Sequence, residues 1–320
     1  MPLSGTVSVT ATSSPYQTPT VPSTREVIQG FLNALSISKP TYVQDHELRS
    51  RVKAIASNWD FAEKMRPQIL LGVTLSETSY THITNVDARA AIALYCALIA
   101  YLDDINLFNS LSARDFPRQL CCPSPKDSTF VVALREVLHS MWTYYPEFGA
   151  NAVFIGALGY FNGAMLETAP DQGGAIHPRT LPFVVMRRDL GGLPDPFTCF
   201  IWEKSVFPEE KIYVEVIPDA RIYINYLNDI LSCYKEELDG DTDNYIYARA
   251  TVTGKNVSET LHDVIDEWFV ARDRIREMVP PGPAREAWDS FETGFVSLHL
   301  VLPRYRLQEL LGGEYLATGL

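Results

Sequence analysis

From Ala90 to Leu102 the chain carries only apolar residues, and the run ends abruptly in Asp103-Asp104. A helix that is apolar on every side must be buried, either in a protein core or in a bilayer. As a helix these residues span about 20 Å, too short for the roughly 30 Å of a bilayer core. The segment is therefore predicted to be a central core helix. Carboxylates at the end of such a helix are costly unless they reach water, a partner or a metal. At 320 residues and 46% hydrophobic content the chain can bury a large core. No β-type alternation, internal repeat or convincing linker follows the first two dozen residues. One all-α domain over residues 23–320 is expected, a bundle whose central cavity takes ligands from facing helices.

Residues 1–22, rich in Ser, Thr and Pro, read as a disordered tail. Ser23 and Glu26 form a capping-box pattern that opens a helix running toward Leu35. Further helices are predicted at His46–Lys64, Asp87–Asn109, Ser128–Tyr145, Ala150–Thr168, His177–Asp189, Pro196–Val206, Glu209–Glu237, Ser258–Met278 and Ala284–Leu311. Pro and Gly at Pro170, Pro194, Pro208 and Pro280 to Pro283 punctuate them.

The Glu209–Glu237 segment carries the chemistry. Asn228, Ser232 and Glu236 stand four apart, so each drifts only about 40° around a helix while climbing roughly 6 Å. An amide oxygen, a hydroxyl and a carboxylate on one stripe form a hard, weakly charged donor set. That set suits Mg²⁺, which takes few protein ligands and leaves room for phosphate oxygens. Lys235 could meet those phosphates as a point charge. An ordinary polar helix face would read the same way in isolation. Its coincidence with Asp103-Asp104, a second segment suited to Mg²⁺, favours a site.

Composition narrows the function classes. Lys and Arg number 27 against 39 Asp and Glu, a net charge of −12. That balance argues against nucleic-acid partners and against binding to anionic membranes. A local cluster of Arg187, Arg188, Lys235, Arg304 and Arg306 in an acidic protein suits one anionic small molecule instead. Five cysteines without C-x-x-C spacing, and a start lacking a basic end and an apolar stretch, point to a reducing cytosol. Asp239 to Asn244 begins like a calcium loop, but Asn244 stands where Gly is required and Ala250 where Glu is required. The loop is expected to end the metal-binding helix and to cover the site when substrate binds. The six histidines show no zinc spacing, and no Gly-rich phosphate loop follows a strand.

Four segments together carry a resemblance. Asp103-Asp104 after the apolar helix and Asn228-Asp229-x-x-Ser232-x-x-Lys235-Glu236 resemble a class I terpene cyclase. Leu181-Pro182-Phe183 with Met186-Arg187-Arg188 and Gly191-Gly192, and then Pro303-Arg304-Tyr305-Arg306-Leu307, resemble the fungal trichodiene synthase-like group. The order holds from about Ser23 to Leu311. The resemblance implies an isoprenoid diphosphate substrate, farnesyl diphosphate, and three Mg²⁺ ions. Asp103 would hold two ions and Asn228, Ser232 and Glu236 the third. Arg187, Lys235, Arg304 and Tyr305 would bind the diphosphate, and Tyr95, Tyr101, Phe161, Phe295 and Leu298 would line the pocket. A homodimer stays open.

The chain also departs from that group. The aspartate segment reads Asp103-Asp104-Ile105-Asn106-Leu107 without a further acid, which leaves Asp104 secondary and Asn106 an accessory. Leu302 and Pro303 replace an acid and a base, and Leu298 replaces an expected aromatic. The expected product is therefore a cyclic sesquiterpene other than trichodiene. Two alternatives share this fold: a chain-elongating prenyltransferase, which should carry a second aspartate-rich segment, and an inactive helical interaction protein.

Overall fold

The computed structural model describes residues 22–35, 42–112, 115–168, 177–313 and 316. The disordered-tail expectation, but for Pro22, lies outside the described residues. Helices α1 (Thr24–Ala34), α2 (His46–Ala56), α3 (Arg66–Ser79), α4 (Val86–Tyr101), α5 (Ile105–Ser110) and α6 (Asp115–Cys121) lead into α7 (Thr129–Tyr144) and α8 (Glu147–Thr168). Next come α9 (Leu181–Gly192), α10 (Pro194–Cys199), α11 (Ile217–Asp239) and α12 (Tyr245–Thr253). The last are α13 (Val257–Met278), α14 (Pro283–Val301) and α15 (Gln308–Leu311), with a 3₁₀ turn at Pro303–Tyr305. No strand occurs among the described residues, so the all-α expectation holds.

Local chemistry accounts for many boundaries. Ser23 and Glu26 close a reciprocal capping box, and Asn256 with Glu259 repeats it at α13. Asp45, Asn85 and Ser128 cap α2, α4 and α7 through their side chains. Gly240 and Gly254, both at positive φ, end α11 and α12.

Several predicted helices are shorter. The His46–Lys64 helix stops at Ala56, and the Asp87–Asn109 helix breaks after Tyr101, where Asp104 caps a new helix. Pro196–Val206 is helical only to Cys199, and the Glu209–Glu237 segment begins with two 3₁₀ turns. Ala284–Leu311 is interrupted after Val301 ahead of Pro303. Helices α3, α6 and α12 were not anticipated by the pattern.

Helix α4 is buried along nearly its whole length and packs against α2, α3 and α7. Close approach has a local cause: a Cβ on Gly72 of α3 would lie 2.1 Å from the Ala93 carbonyl oxygen of α4. Between α9 and α10, Leu193 adopts a left-handed backbone, φ 53° and ψ 38°, although it is not glycine. Its side chain is 6% exposed. The kink aims α9 and α10 at one interior space. No described helix is long and apolar enough to cross a membrane.

Candidate active site

Two adjoining clefts share Arg188 and Gly191 as a common wall. The inner one has a free volume of about 190 Å³. Its lining is mostly apolar, with buried Leu75 of α3, Ile99 of α4, Ile224 of α11 and Phe295 and Leu298 of α14, half-buried Phe197 of α10, and buried His299 as a polar member. Its exposed members are the charged Asp103 and Arg304. The outer cleft, about 170 Å³, is polar and is lined by Glu167, Arg187, Asp229, Glu236, Asp243 and Tyr245. An apolar chamber thus adjoins a charged one.

The α11 stripe bridges the two. Asn228 lines the inner cleft, Glu236 lines the outer one, and Ser232, 3% exposed, lies between them on the helix and lines neither. Lys235 Nζ is 3.0 Å from Glu236 Oε1. Asp103, just past the end of α4, accepts a hydrogen bond from the Tyr160 hydroxyl. Loss of hydration raises the Asp103 carboxyl above the usual carboxylate range, while Tyr160 and the positive charge of Arg304 oppose the rise. Asp104 points its carboxyl elsewhere: Oδ1 accepts from the backbone N–H of Asn106 and Leu107 and caps α5. Asp104 and Asn106 line neither cleft.

The two arginines of α9 differ in kind. Arg188 Nε lies 2.7 and 2.9 Å from the two carboxylate oxygens of buried Asp229, and its Nη2 donates to Asn225 O and to Asn228 Oδ1. Burial lifts the Asp229 carboxyl to about 6 even with Arg188 against it. Arg188 is therefore occupied in holding α9 on α11. Arg187 Nη2 lies 3.4 Å from a carboxylate oxygen of Asp243, whose side chain is 78% exposed, whereas that of Arg187 is 16% exposed. A long contact to a carboxylate this open to water is weak, so Arg187 can exchange that carboxylate for another anion. A Cβ on Gly192 would fall 2.0 Å from Asn225 Oδ1 and 2.4 Å from Arg188 Nη1, which explains a glycine beside the pair.

Arg304 lies over the Tyr305 ring at 5.5 Å, and Tyr305 Oη is 3.5 Å from Asn228 Nδ2. Arg306 turns away, with its guanidinium on Glu309, so it does not join the basic cluster expected from the sequence. Three of the five aromatic and aliphatic pocket candidates are also placed differently. Tyr95 is fully buried against Phe200 and Val153, Tyr101 packs on Phe61 and Phe130, and Phe161 stacks on Phe116 and Phe108. Cys96, Ile99 and Ala100 of α4, with Asp103 just beyond it, face the cleft, and Tyr95 and Tyr101 point about 90° and 150° away from that stripe. Phe295 and Leu298 do line it.

Several cleft residues escaped the sequence reading, and three of them are polar or polarisable groups near the candidate donors. Tyr160 holds Asp103, and Cys96 and His299 line the inner cleft. Burial lowers the His299 imidazole to about 4, so it is neutral near pH 7. Its place one turn after Phe295 was the available signal.

The donor set can be tested against a metal. Among the described residues no three His, Cys, Asp or Glu side chains converge as a cage. Sites for zinc, which need three or four such ligands, do not fit. Separate carboxylates at Asp103 and Glu236, with neutral oxygens at Asn228 and Ser232, fit Mg²⁺, which keeps water and phosphate oxygens in its shell.

A family model described as Trichodiene synthase (TRI5) matches residues 65–316. Monoterpene synthase 25 of Postia placenta is 36% identical over 95% of this chain and 92% of its own length. Terpene synthase 29 of the same organism is 39% identical over 90% and 84%. A solved linalool/nerolidol synthase from Streptomyces clavuligerus superposes with a TM-score of 0.57 at 14% identity, covering 87% of this chain and 99% of that one. That likeness concerns the fold. Helix bundle, paired clefts and sequence relatives agree, and the chain belongs to the trichodiene synthase family of terpene synthases.

Proposed function

We propose that this protein ionises farnesyl diphosphate with Mg²⁺ and cyclises the resulting cation to a sesquiterpene other than trichodiene, releasing diphosphate. The observation that carries the reading is the junction of a charged outer cleft and an apolar inner cleft across Arg188 and Gly191. A diphosphate with an isoprenoid tail has the same two halves.

Asp103 on one side and Asn228, Ser232 and Glu236 on the other would hold Mg²⁺, three ions by the family expectation. Bound there, the metal supplies Lewis-acid stabilisation of the leaving oxygens. Arg187, Lys235, Arg304 and Tyr305 donate charge-assisted hydrogen bonds to the same anion. Arg187 gives up Asp243 to do so. The inner wall of Leu75, Ile99, Ile224 and Leu298 keeps water from the cation and shapes the folded chain. Phe197 and Phe295 offer π faces worth about 0.5–2 kcal/mol each, enough to choose between cations.

A relative bearing the name Monoterpene synthase 25 favours a second reading, a C10 substrate. Purified protein is incubated with Mg²⁺ and geranyl, farnesyl or geranylgeranyl diphosphate, and the extract is resolved by gas chromatography and mass spectrometry. Cyclic C15 product from farnesyl diphosphate is expected. Product from geranyl diphosphate alone replaces the C15 assignment with the C10 one. A longer diphosphate means elongation, and no turnover of any substrate removes the catalytic reading.

A further inference from the structure

His299 is wholly buried in α14, and both of its ring nitrogens are occupied. Nδ1 lies 2.7 Å from the Phe295 carbonyl oxygen, which can only accept, so Nδ1 carries the proton. Nε2 lies 3.3 Å from the side-chain nitrogen of Asn228. On the other side of the same amide, Arg188 Nη2 is 3.2 Å from Asn228 Oδ1. A guanidinium can only donate, so the amide oxygen must face it. The NH₂ end therefore faces Nε2, which must accept and so carries no proton, and turning the amide over would set NH₂ against the guanidinium. The ring itself is held by Tyr305, 4.4 Å away, and edge-on by Phe295 at 5.1 Å.

We infer that His299 is a positioning residue: its unprotonated Nε2 anchors the NH₂ end of Asn228 and commits the amide oxygen to the metal-binding stripe. The inference rests on the proposed role of Asn228. It assigns work to a residue that touches neither the anion nor the metal donors Ser232 and Glu236. Groups that orient a ligand in this way commonly change metal affinity by about 10- to 100-fold when removed.

Two measurements test it. In ¹⁵N-labelled protein at pH 7, a long-range ¹H–¹⁵N spectrum reports the tautomer, with His299 assigned by its absence in His299→Gln. A ring protonated at Nδ1 only is expected; protonation at Nε2 overturns the inference without reference to catalysis. Calorimetry with Mg²⁺ and inorganic diphosphate gives the second readout. His299→Phe should weaken Mg²⁺-dependent diphosphate binding about 10- to 100-fold, and His299→Gln, which keeps an acceptor, by less than about threefold. In an Asn228→Ala background, His299→Phe should cost no further affinity. Wild-type affinity in His299→Phe, or an equal loss in both backgrounds, overturns the positioning role. Absence of Mg²⁺-dependent diphosphate binding by the wild type sinks the proposed function instead, and the tautomer still decides how Asn228 is held. If His299→Phe does not fold, the wild-type spectrum and His299→Gln still decide.

Discussion

Arg188→Met leaves a buried carboxylate without its partner. Asp229 is 7% exposed, and the Arg188 Nε contacts at 2.7 and 2.9 Å are the hydrogen bonds its carboxylate makes to a cation. Removing one member of a buried pair costs about 3–5 kcal/mol at neutral pH. The cost depends on pH with a definite sign. The Asp229 carboxyl is raised to about 6 in the fold against an ordinary 3.8, so the folded state binds its proton more tightly than the unfolded chain. Its contribution is therefore fully present below about pH 4 and lost as pH rises toward 6. Without Arg188 the folded value climbs further, and the loss continues above pH 6 at up to about 1.4 kcal/mol per pH unit. Urea unfolding at pH 5 and pH 8 should show a larger penalty at pH 8, by about 1–3 kcal/mol. Arg188→Met/Asp229→Leu should regain more than half of the pH 8 loss, because no charge then stays buried. An equal penalty at both pH values, or no recovery in the double variant, would falsify the assignment of Arg188 to structure.

Three further outcomes follow from the clefts. Asn228→Ala and Glu236→Ala should lower turnover by about 100-fold or more, at least as severely as Asp103→Ala, since each removes a proposed metal donor; full activity in either variant or in EDTA contradicts the metal site. Arg187→Lys should weaken Mg²⁺-dependent diphosphate binding although the charge is kept, because the planar fork is lost; an unchanged calorimetric affinity removes Arg187 from the anion site. Leu298→Trp should shift the product ratio by roughly 2- to 30-fold, the equivalent of one cation–π contact, while total turnover changes less; an unaltered chromatogram refutes the pocket wall.

Sequence patterns captured the helical class because caps and apolar spacing are local. Ser23 and Glu26 close their box without help from the rest of the chain. Helix α3 was illegible for the opposite reason: Gly72 to Ser79 are buried on every face, so polar and apolar residues do not alternate with a helical period. Asp104 shows how one residue type serves two ends. A carboxylate beside a candidate metal donor and a carboxylate capping a helix read alike until the backbone of α5 is seen. Nearness along the chain also misled the choice of Tyr95 and Tyr101, because one step along a helix turns a side chain by about 100°. The common helix of Asn228, Ser232 and Glu236 was legible, since their spacing lies within one short window. Links such as Asp103–Tyr160 and Asn228–His299 join distant helices, and no short window contains them.

Leu193 has a consequence for how enzymes of this shape diversify. A left-handed backbone costs a non-glycine residue about 1–2 kcal/mol, while burying a leucine side chain returns about 1.5–3 kcal/mol. Exchange to glycine, which sheds the strain as it loses the side chain, therefore leaves folding stability nearly level, yet it alters the wall of the inner cleft. Mutational drift at such a position can explore new product spectra without crossing a valley of unfolded intermediates. Leu193→Gly should accordingly keep a melting temperature close to that of the parent while its product spectrum changes; a large fall in melting temperature with a constant product would show that the kink serves the fold alone.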